Sequence, residues 1–245
     1  MKITVVGASG QFGSILCDRL DTRGAEVVRA HRGAGVDAVT GAGLAEACAG
    51  ADVIVDATNL MSMRAAESEK FFSAVATNIA RTARATGAAV VYLTIHGAPD
   101  PAVARMGHYR GKAAQERVYS AECGDTATAV ASTQWYSLAE TFLSAMRLGP
   151  IAAVPHMVAR PAAVDDVADA MADVVLDPAR PDRVVVAGPE VMDMLDVARM
   201  IAAADGTPKK VVGVRLIKGL AGGALVPQNP DVVTTTTVDD WLAAR

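Results

Sequence analysis

The sequence predicts an α/β fold, a doubly wound parallel sheet with a small C-terminal lid on its substrate side, and three observations carry that prediction. Short apolar runs of strand length alternate with longer helical stretches, the pattern that builds a parallel sheet covered on both faces. The first such run, Ile3-Thr4-Val5-Val6, leads directly into Gly7-Ala8-Ser9-Gly10-Gln11-Phe12-Gly13 and then into an amphipathic stretch through Ile15, Leu16 and Leu20. The chain of 245 residues is 51% apolar and 20% charged, ample for one compact α/β unit with a sizeable core.

Taken in order, the elements are read as follows. Residues 3–6 form a strand, and the glycine segment is the turn into the first helix. Glu26 to His31 is a second strand, and Asp52 to Asp56 another. From Ala65 to Thr86, Phe71 and Phe72, Val75, Ile79 and Ala83 recur at helical spacing and Gly87 stops the helix. Ala88 to Ile95 reads as a buried strand, Gly111 to Glu122 as a helix and Ala127 to Ala131 as a strand. Asp165-Asp166 precede an apolar periodic run through Val167, Met171, Val174 and Val175, so they are expected to cap a helix rather than to act as paired catalytic acids. The polar run Thr234 to Thr237 is a strand or the lead-in to a terminal helix at Val238 to Ala244. No linker interrupts the chain: it is expected to be one domain over residues 1–245, of which about 133–245 contribute a small substrate-side subdomain.

Strand, glycine turn and helix together suit a dinucleotide. Three glycines spaced Gly-x-x-Gly-x-x-Gly let the chain turn tightly, let its backbone approach a pyrophosphate and let the helix pack close to the sheet. The phosphates then meet unpaired N–H groups and the positive end of the helix dipole. Gly7, Ser9, Gly10, Gln11, Phe12 and Gly13 are the candidate phosphate-binding residues, and the Ser9 hydroxyl can add a contact to phosphate or ribose. In an open parallel sheet the remaining ligand contacts come from residues just past the strands. After the second strand stand His31 and Arg32, with no acid before Asp37 to take a ribose 2′-hydroxyl. A 2′-phosphate would find the Arg32 guanidinium instead, with Arg29 as a substitute, so NADP is favoured and NAD is left open. Ala57, Thr58 and Asn59, and Thr94 to Gly97, are small or polar groups suited to the nicotinamide half of a cleft.

Composition narrows the function classes. The net charge is −4 and no basic stripe with interleaved aromatics occurs, which argues against a nucleic-acid partner. Cys17, Cys48 and Cys123 are scattered and odd in number, and His31, His96, His108 and His156 lack ligand spacing, so no metal is expected. The chain opens on a strand and its apolar runs are too short to span a bilayer, which predicts a cytoplasmic protein with neither leader nor membrane helix. A small-molecule substrate is expected, and a homo-oligomer is left open.

The segment Gly107-His108-Tyr109-Arg110-Gly111-Lys112-Ala113-Ala114-Gln115-Glu116, taken with the glycine turn, resembles the short-chain dehydrogenase/reductase superfamily. Its atypical, NmrA-like branch of NAD(P)-binding proteins is the nearer likeness. Val130 to Trp135, Pro161 to Ala168, Ala187-Gly188-Pro189-Glu190 and the closing Trp241-Leu242 support it across essentially the whole chain. The resemblance implies a Rossmann-type fold and a Tyr-x-x-x-Lys pair, the tyrosine passing a proton to a carbonyl oxygen while the lysine holds the ribose, with a Ser or Thr steadying the substrate oxygen. Lys112 matches the lysine and Thr94 approximately matches the hydroxyl, but His108 stands at the tyrosine position with Tyr109 one residue later. On a helix both lie on the face of Lys112. The expected catalytic set is therefore Lys112, Tyr109, His108 and Thr94, with Lys112 also a cofactor ligand and His96, Gln134 and Trp135 bounding a substrate pocket. The function implied is an NADP(H)-dependent oxidoreductase acting on a small carbonyl-type compound. Its alternative is a non-catalytic NAD(P)-sensing protein.

Overall fold

The computed structural model describes residues 1–216 and 218–245, so Ile217, inside the expected substrate-side subdomain, lies outside the described residues. In chain order the elements are β1 (Lys2–Val6), α1 (Gln11–Thr22), β2 (Glu26–Ala30), α2 (Leu44–Ala47), β3 (Val53–Asp56), α3 (Ala65–Thr86), β4 (Ala89–Ile95), α4 (Gly107–Cys123), β5 (Ala127–Ser132) and α5 (Ser137–Ala145). They continue with β6 (Arg147–Leu148), β7 (Ile151–Pro155), β8 (Val158–Ala159), α6 (Val164–Leu176), β9 (Arg183–Ala187), β10 (Met192–Asp193), α7 (Met194–Asp205), β11 (Lys210–Val214), α8 (Lys218–Ala221), β12 (Val232–Val233) and α9 (Val238–Ala243). Seven strands form a Rossmann-like sheet in the order β12-β9-β5-β4-β3-β1-β2, and the expected doubly wound α/β architecture is what the chain adopts. β1 pairs in parallel with β2 on one side and with β3 on the other, so the strand order reverses beside β1.

Two compact units divide the chain, and their segments interleave. The first comprises Met1–Pro99, Ala104–Ala131 and Ala168–Val184; the second comprises Asp100–Val103, Ser132–Val167 and Val185–Arg245.

In the first unit, β3 and β5 as far as Ala131 are buried at every position, as strands covered on both faces must be. Ile54, Val75, Ile79, Val90 and Tyr119 belong to one continuous apolar cluster there. α3 keeps the boundaries its periodicity predicts and ends in Gly87 at φ +76°. α4 begins four residues before the expected Gly111. Two glycines early in a helix read as a break, since each costs about 1 kcal/mol relative to alanine. Packing overrides that preference, because a Cβ on Gly111 would lie 2.5 Å from the Phe72 ring and 2.7 Å from Ser68 Oγ of α3. The early start places His108, Tyr109 and Lys112 on one helix.

In the second unit, β7 pairs in parallel with β11 and antiparallel with β6, a three-stranded sheet the sequence pattern did not reveal. The Asp193 carboxylate caps α7, accepting from Leu195 N at 3.0 Å, and also accepts from Met157 N at 3.0 Å. Tyr136 donates its phenol to the Thr236 carbonyl at 3.0 Å. Asp165 and Asp166 lie inside the first turn of α6 rather than ahead of it, and Asp166 accepts from Thr236 N and Oγ1 at 3.1 and 2.9 Å. Residues 234–237 are the lead-in and not a strand: Thr237 caps α9 through a capping box with Asp240.

Candidate functional site

The glycine turn sits where the strand order reverses, the point at which open parallel sheets leave a crevice. Gly7 takes φ +89°, and a Cβ there would lie 2.9 Å from the Ala57 carbonyl and 3.0 Å from Thr58 N. The turn after β1 thus runs against the segment after β3, which brings Ala57 and Thr58 to the glycines. A Cβ on Gly13 would meet Gly7 O at 2.2 Å, so the first turn of α1 lies on the backbone of the loop itself. Gly10 is the N-cap and supplies no side-chain acceptor to the helix. Ser9, Gly10 and Gln11 are exposed, as is Asn59, while Ala57 and Thr58 are buried.

Past β2, His31 is half-buried with its ring within 3.2 Å of where a Gly33 side chain would start. Arg32 is exposed and makes no side-chain hydrogen bond or ion pair among the described residues. Arg29 is no substitute for it. Its Nη2 is held by Asp18 at 2.9 Å and Asp21 at 2.7 Å, back on α1.

Beneath β4 and α4 lies a buried polar network. Lys112 is 3% exposed, and its three ammonium protons find three acceptors: Leu93 O at 2.8 Å, Gln115 Oε1 at 3.1 Å and Thr58 O at 3.4 Å. The Phe72 ring covers the same ammonium at 4.5 Å. Burial lowers the Lys112 pKa to about 8, while the charges of Asp56 and Glu116 pull it upward. Asp56, wholly buried at the end of β3, accepts four hydrogen bonds. Thr58 N and Oγ1 reach its Oδ1 at 2.9 and 2.6 Å, and Gln115 Nε2 and the Tyr119 hydroxyl reach its Oδ2 at 2.7 and 2.8 Å. Tyr119 stacks on Tyr92 with ring centres 4.5 Å apart.

The expected catalytic groups lie around this network. Thr94 donates its hydroxyl to Glu116 Oε1 at 2.7 Å, and Glu116 Oε2 takes Arg183 at 3.2 Å. His108 Nδ1 lies 3.0 Å from Leu60 O, and since a carbonyl only accepts, the proton is on Nδ1 and Nε2 carries a lone pair. Burial and the neighbouring Lys112 charge lower the His108 pKa to about 4, so the ring is neutral at physiological pH and presents an acceptor, not a donor. Tyr109 is 4% exposed and meets the His108 ring edge-on at 6.4 Å. His96 is half-buried, its Nδ1 enclosed without a hydrogen-bond partner among the described residues, and burial, then the Arg183 charge, lower its pKa.

The first unit thus assembles the glycine turn, His31, Arg32, Ala57 to Asn59, Thr94, His96, His108, Tyr109 and Lys112. Gln134 and Trp135 belong to the second unit, where Gln134 is buried and the Trp135 indole donates to Ser132 Oγ at 2.9 Å. Asp56, Gln115, Glu116 and Tyr119 are the members of the network that sequence reasoning missed. A signal existed: residues 112, 115, 116 and 119 share one helical face, a polar stripe on a helix that follows the apolar strand run Ala88 to Ile95. Among the described residues, no helix is long and apolar enough to cross a membrane and no three metal-ligating side chains gather.

No family model matches the sequence, and no curated protein matches it. Solved structures do. A nucleoside-diphosphate-sugar epimerase from Staphylococcus aureus superposes with a TM-score of 0.75 at 15% identity, covering 99% of this chain and 99% of its own. A dTDP-4-dehydrorhamnose reductase from Bacillus anthracis, solved in complex with NADP, gives 0.72 at 14% identity over 96% of this chain and 90% of its own. A short-chain dehydrogenase/reductase superfamily protein from Agrobacterium tumefaciens with bound NAD gives 0.71 at 16% identity over 100% and 95%. At these identities the likeness establishes the fold, which hosts many chemistries.

Proposed function

We propose that the chain binds a nicotinamide dinucleotide, NADP(H) in preference to NAD(H), and serves hydride transfer to or from a small carbonyl-type substrate. The observation that carries this reading is the glycine cradle at the sheet's reversal point, where Cβ atoms at residues 7 and 13 would collide with backbone and the head of α1 stands exposed. A diphosphate fits there: backbone amides at residues 9–13 would hold it without a basic side chain. Arg32, exposed and unengaged, suits a 2′-phosphate, and Ala57, Thr58 and Asn59 flank the same turn. A ribose hydroxyl would displace the longest of the three Lys112 contacts, the 3.4 Å one to Thr58 O. When bound, the nicotinamide supplies or accepts the hydride. Two of the superposed structures carry NADP or NAD, which supports the cofactor class without choosing between them.

The proton side of the reaction departs from a tyrosine acid. His108 presents a lone pair at Nε2, which suits accepting a hydrogen bond from a substrate hydroxyl, since burial and the Lys112 charge oppose its protonation, and Tyr109 beside it carries the phenol. Within the superfamily the chain's own motifs favour the NmrA-like branch, and a cytoplasmic location belongs to the same reading.

Calorimetric titration tests the cofactor. NADPH is expected to bind more tightly than NADH, and Arg32→Ala to weaken NADPH by about ten-fold or more while leaving NADH unchanged, as loss of a charge-assisted contact of roughly 1.5–3 kcal/mol requires. Absence of heat with either nucleotide at millimolar concentration would end this reading. Binding without NADPH oxidation across a carbonyl panel would select the nucleotide-sensing alternative.

A further inference from the structure

We infer that Asp56, acting through the Gln115 amide, is the positioning residue that holds Lys112 in place as a cation, an assignment that rests on the cofactor reading above only for its consequence at the ribose. The geometry is a relay with a direction. Asp56 Oδ2 takes two hydrogen bonds, and a carboxylate only accepts, so the end of the Gln115 side chain that meets it must be the NH₂. The amide oxygen is thereby turned toward Lys112, where it receives one ammonium proton at 3.1 Å. Thr58 N and Oγ1 pin the other carboxylate oxygen, so Asp56 cannot rotate to release Gln115.

Among the described residues, nothing else in the immediate wall of Lys112 does the same work. Leu93 O and Thr58 O offer carbonyl dipoles and Phe72 a ring face. Among the described residues, the charged and titratable groups around it include Asp56 on β3 and His108, Tyr109, Glu116 and Tyr119 on α4, with Arg183 of β9, Tyr92 of β4 and His96 after it grouped about Glu116. Of the two carboxylates, Glu116 is shared between Thr94 and Arg183. Asp56 alone joins Lys112 through one bridging side chain.

Neutralising Asp56 by Asn reverses the relay. The carboxamide introduced by Asp56→Asn would present a donor to Gln115, whose own amide must flip and turn its NH₂ toward the ammonium. Burial already lowers Lys112 to about 8 from its ordinary 10.5, with Asp56 the largest opposing influence, so the variant lysine loses its proton at still lower pH. Below the folded value both folded and unfolded lysines are charged, and between the folded and unfolded values the folded chain has released its proton first, so stability contributed by this group rises with pH across that window.

The experiment has two readouts on the full chain. Equilibrium unfolding from pH 6 to 10 is expected to show the rise beginning near pH 8 in the parent and about one unit or more lower in Asp56→Asn, a ten-fold or greater change in proton affinity. NADPH fluorescence titrations are expected to weaken with rising pH along the same two limbs. The exchange variant Asp56→Asn with Gln115→Glu moves the carboxylate to the other end of the relay and keeps every hydrogen bond once the Tyr119 hydroxyl accepts instead of donating. It is expected to return both limbs to pH 8 or above, which a merely structural carboxylate at residue 56 would not require. Limbs unmoved in Asp56→Asn, or unrestored in the exchange variant, overturn the inference. If Asp56→Asn does not fold, Gln115→Leu, which cuts the relay and keeps the carboxylate, must show the lowered limb. If no variant or parent binds NADPH, the cofactor reading fails and the unfolding limbs still decide the relay.

Discussion

Alanine at residue 13 is expected to abolish nucleotide binding and to lower stability by roughly 1–3 kcal/mol, the usual cost of forcing a side chain into packed space. The added Cβ would sit 2.2 Å from Gly7 O and 2.9 Å from Gly7 C. Neither atom can yield alone, because Gly7 is itself fixed by its N–H to Ala30 O at 2.9 Å and by its approach to Ala57. The first turn of α1 must therefore lift away from the loop, and the amides that would face a diphosphate move with it. For a chain of this size each kcal/mol lowers Tm by roughly 2–4 °C. Gly10→Ala is the informative contrast. There the nearest atom is Gly7 O at 3.3 Å and φ is −76°, so the substitution needs only a small shift. Thermal melts of both variants with NADPH titrations check the prediction. Gly13→Ala binding NADPH like the parent would mean that the head of α1 is not the phosphate site.

The glycine turn was legible in the sequence because the requirement is written in residue type: a missing Cβ at three spaced positions has few other causes after a strand. α3 was legible because its buried face, Ser68 apart, is apolar along Phe72, Val75, Ala76, Ile79, Ala80 and Ala83. α4 was harder. Its inner face carries Tyr109, Lys112, Gln115 and Tyr119 among small residues, so periodicity sees a weak helix, and Gly111 reads as a terminus until Phe72 is known to fill the space beside it. The network failed to appear for a further reason. Asp56 and Gln115 are separated by 59 residues, and their hydrogen bond depends on β3 and α4 meeting at the sheet, which no local pattern encodes. Arg29 and Arg32 show the same limit: one lies in β2 and the other just past it, yet Arg29 turns back to Asp18 and Asp21 while Arg32 stays exposed. The three-stranded sheet of β6, β7 and β11 joins segments about 60 residues apart and short in length, where a strand of two residues gives no alternation to read.

Leucine in place of Asp56 is expected to cost about 3–5 kcal/mol, as several buried donors are left without their acceptor and a nearby buried ammonium loses its compensating charge. Four donors lose their acceptor at once: Thr58 N, Thr58 Oγ1, Gln115 Nε2 and the Tyr119 hydroxyl. Lys112 simultaneously loses the carboxylate that offsets its burial. Tyr119→Phe separates these effects. It removes one of the four hydrogen bonds and keeps the stack on Tyr92, so its cost is expected near 1.5–3 kcal/mol, the range for a bond to a charged group. Adding Lys112→Met to Asp56→Leu removes the stranded ammonium while an apolar chain continues to pack under Phe72. The double variant is therefore expected to be more stable than Asp56→Leu alone, a positive coupling of the size neighbouring buried residues show. Urea denaturation of the parent, the single variants and the double variant measures it. A cost below about 1 kcal/mol for Asp56→Leu, or strictly additive losses in the double variant, would mean that the two charges do not compensate one another, and the buried carboxylate would then need another reason to sit at the end of β3.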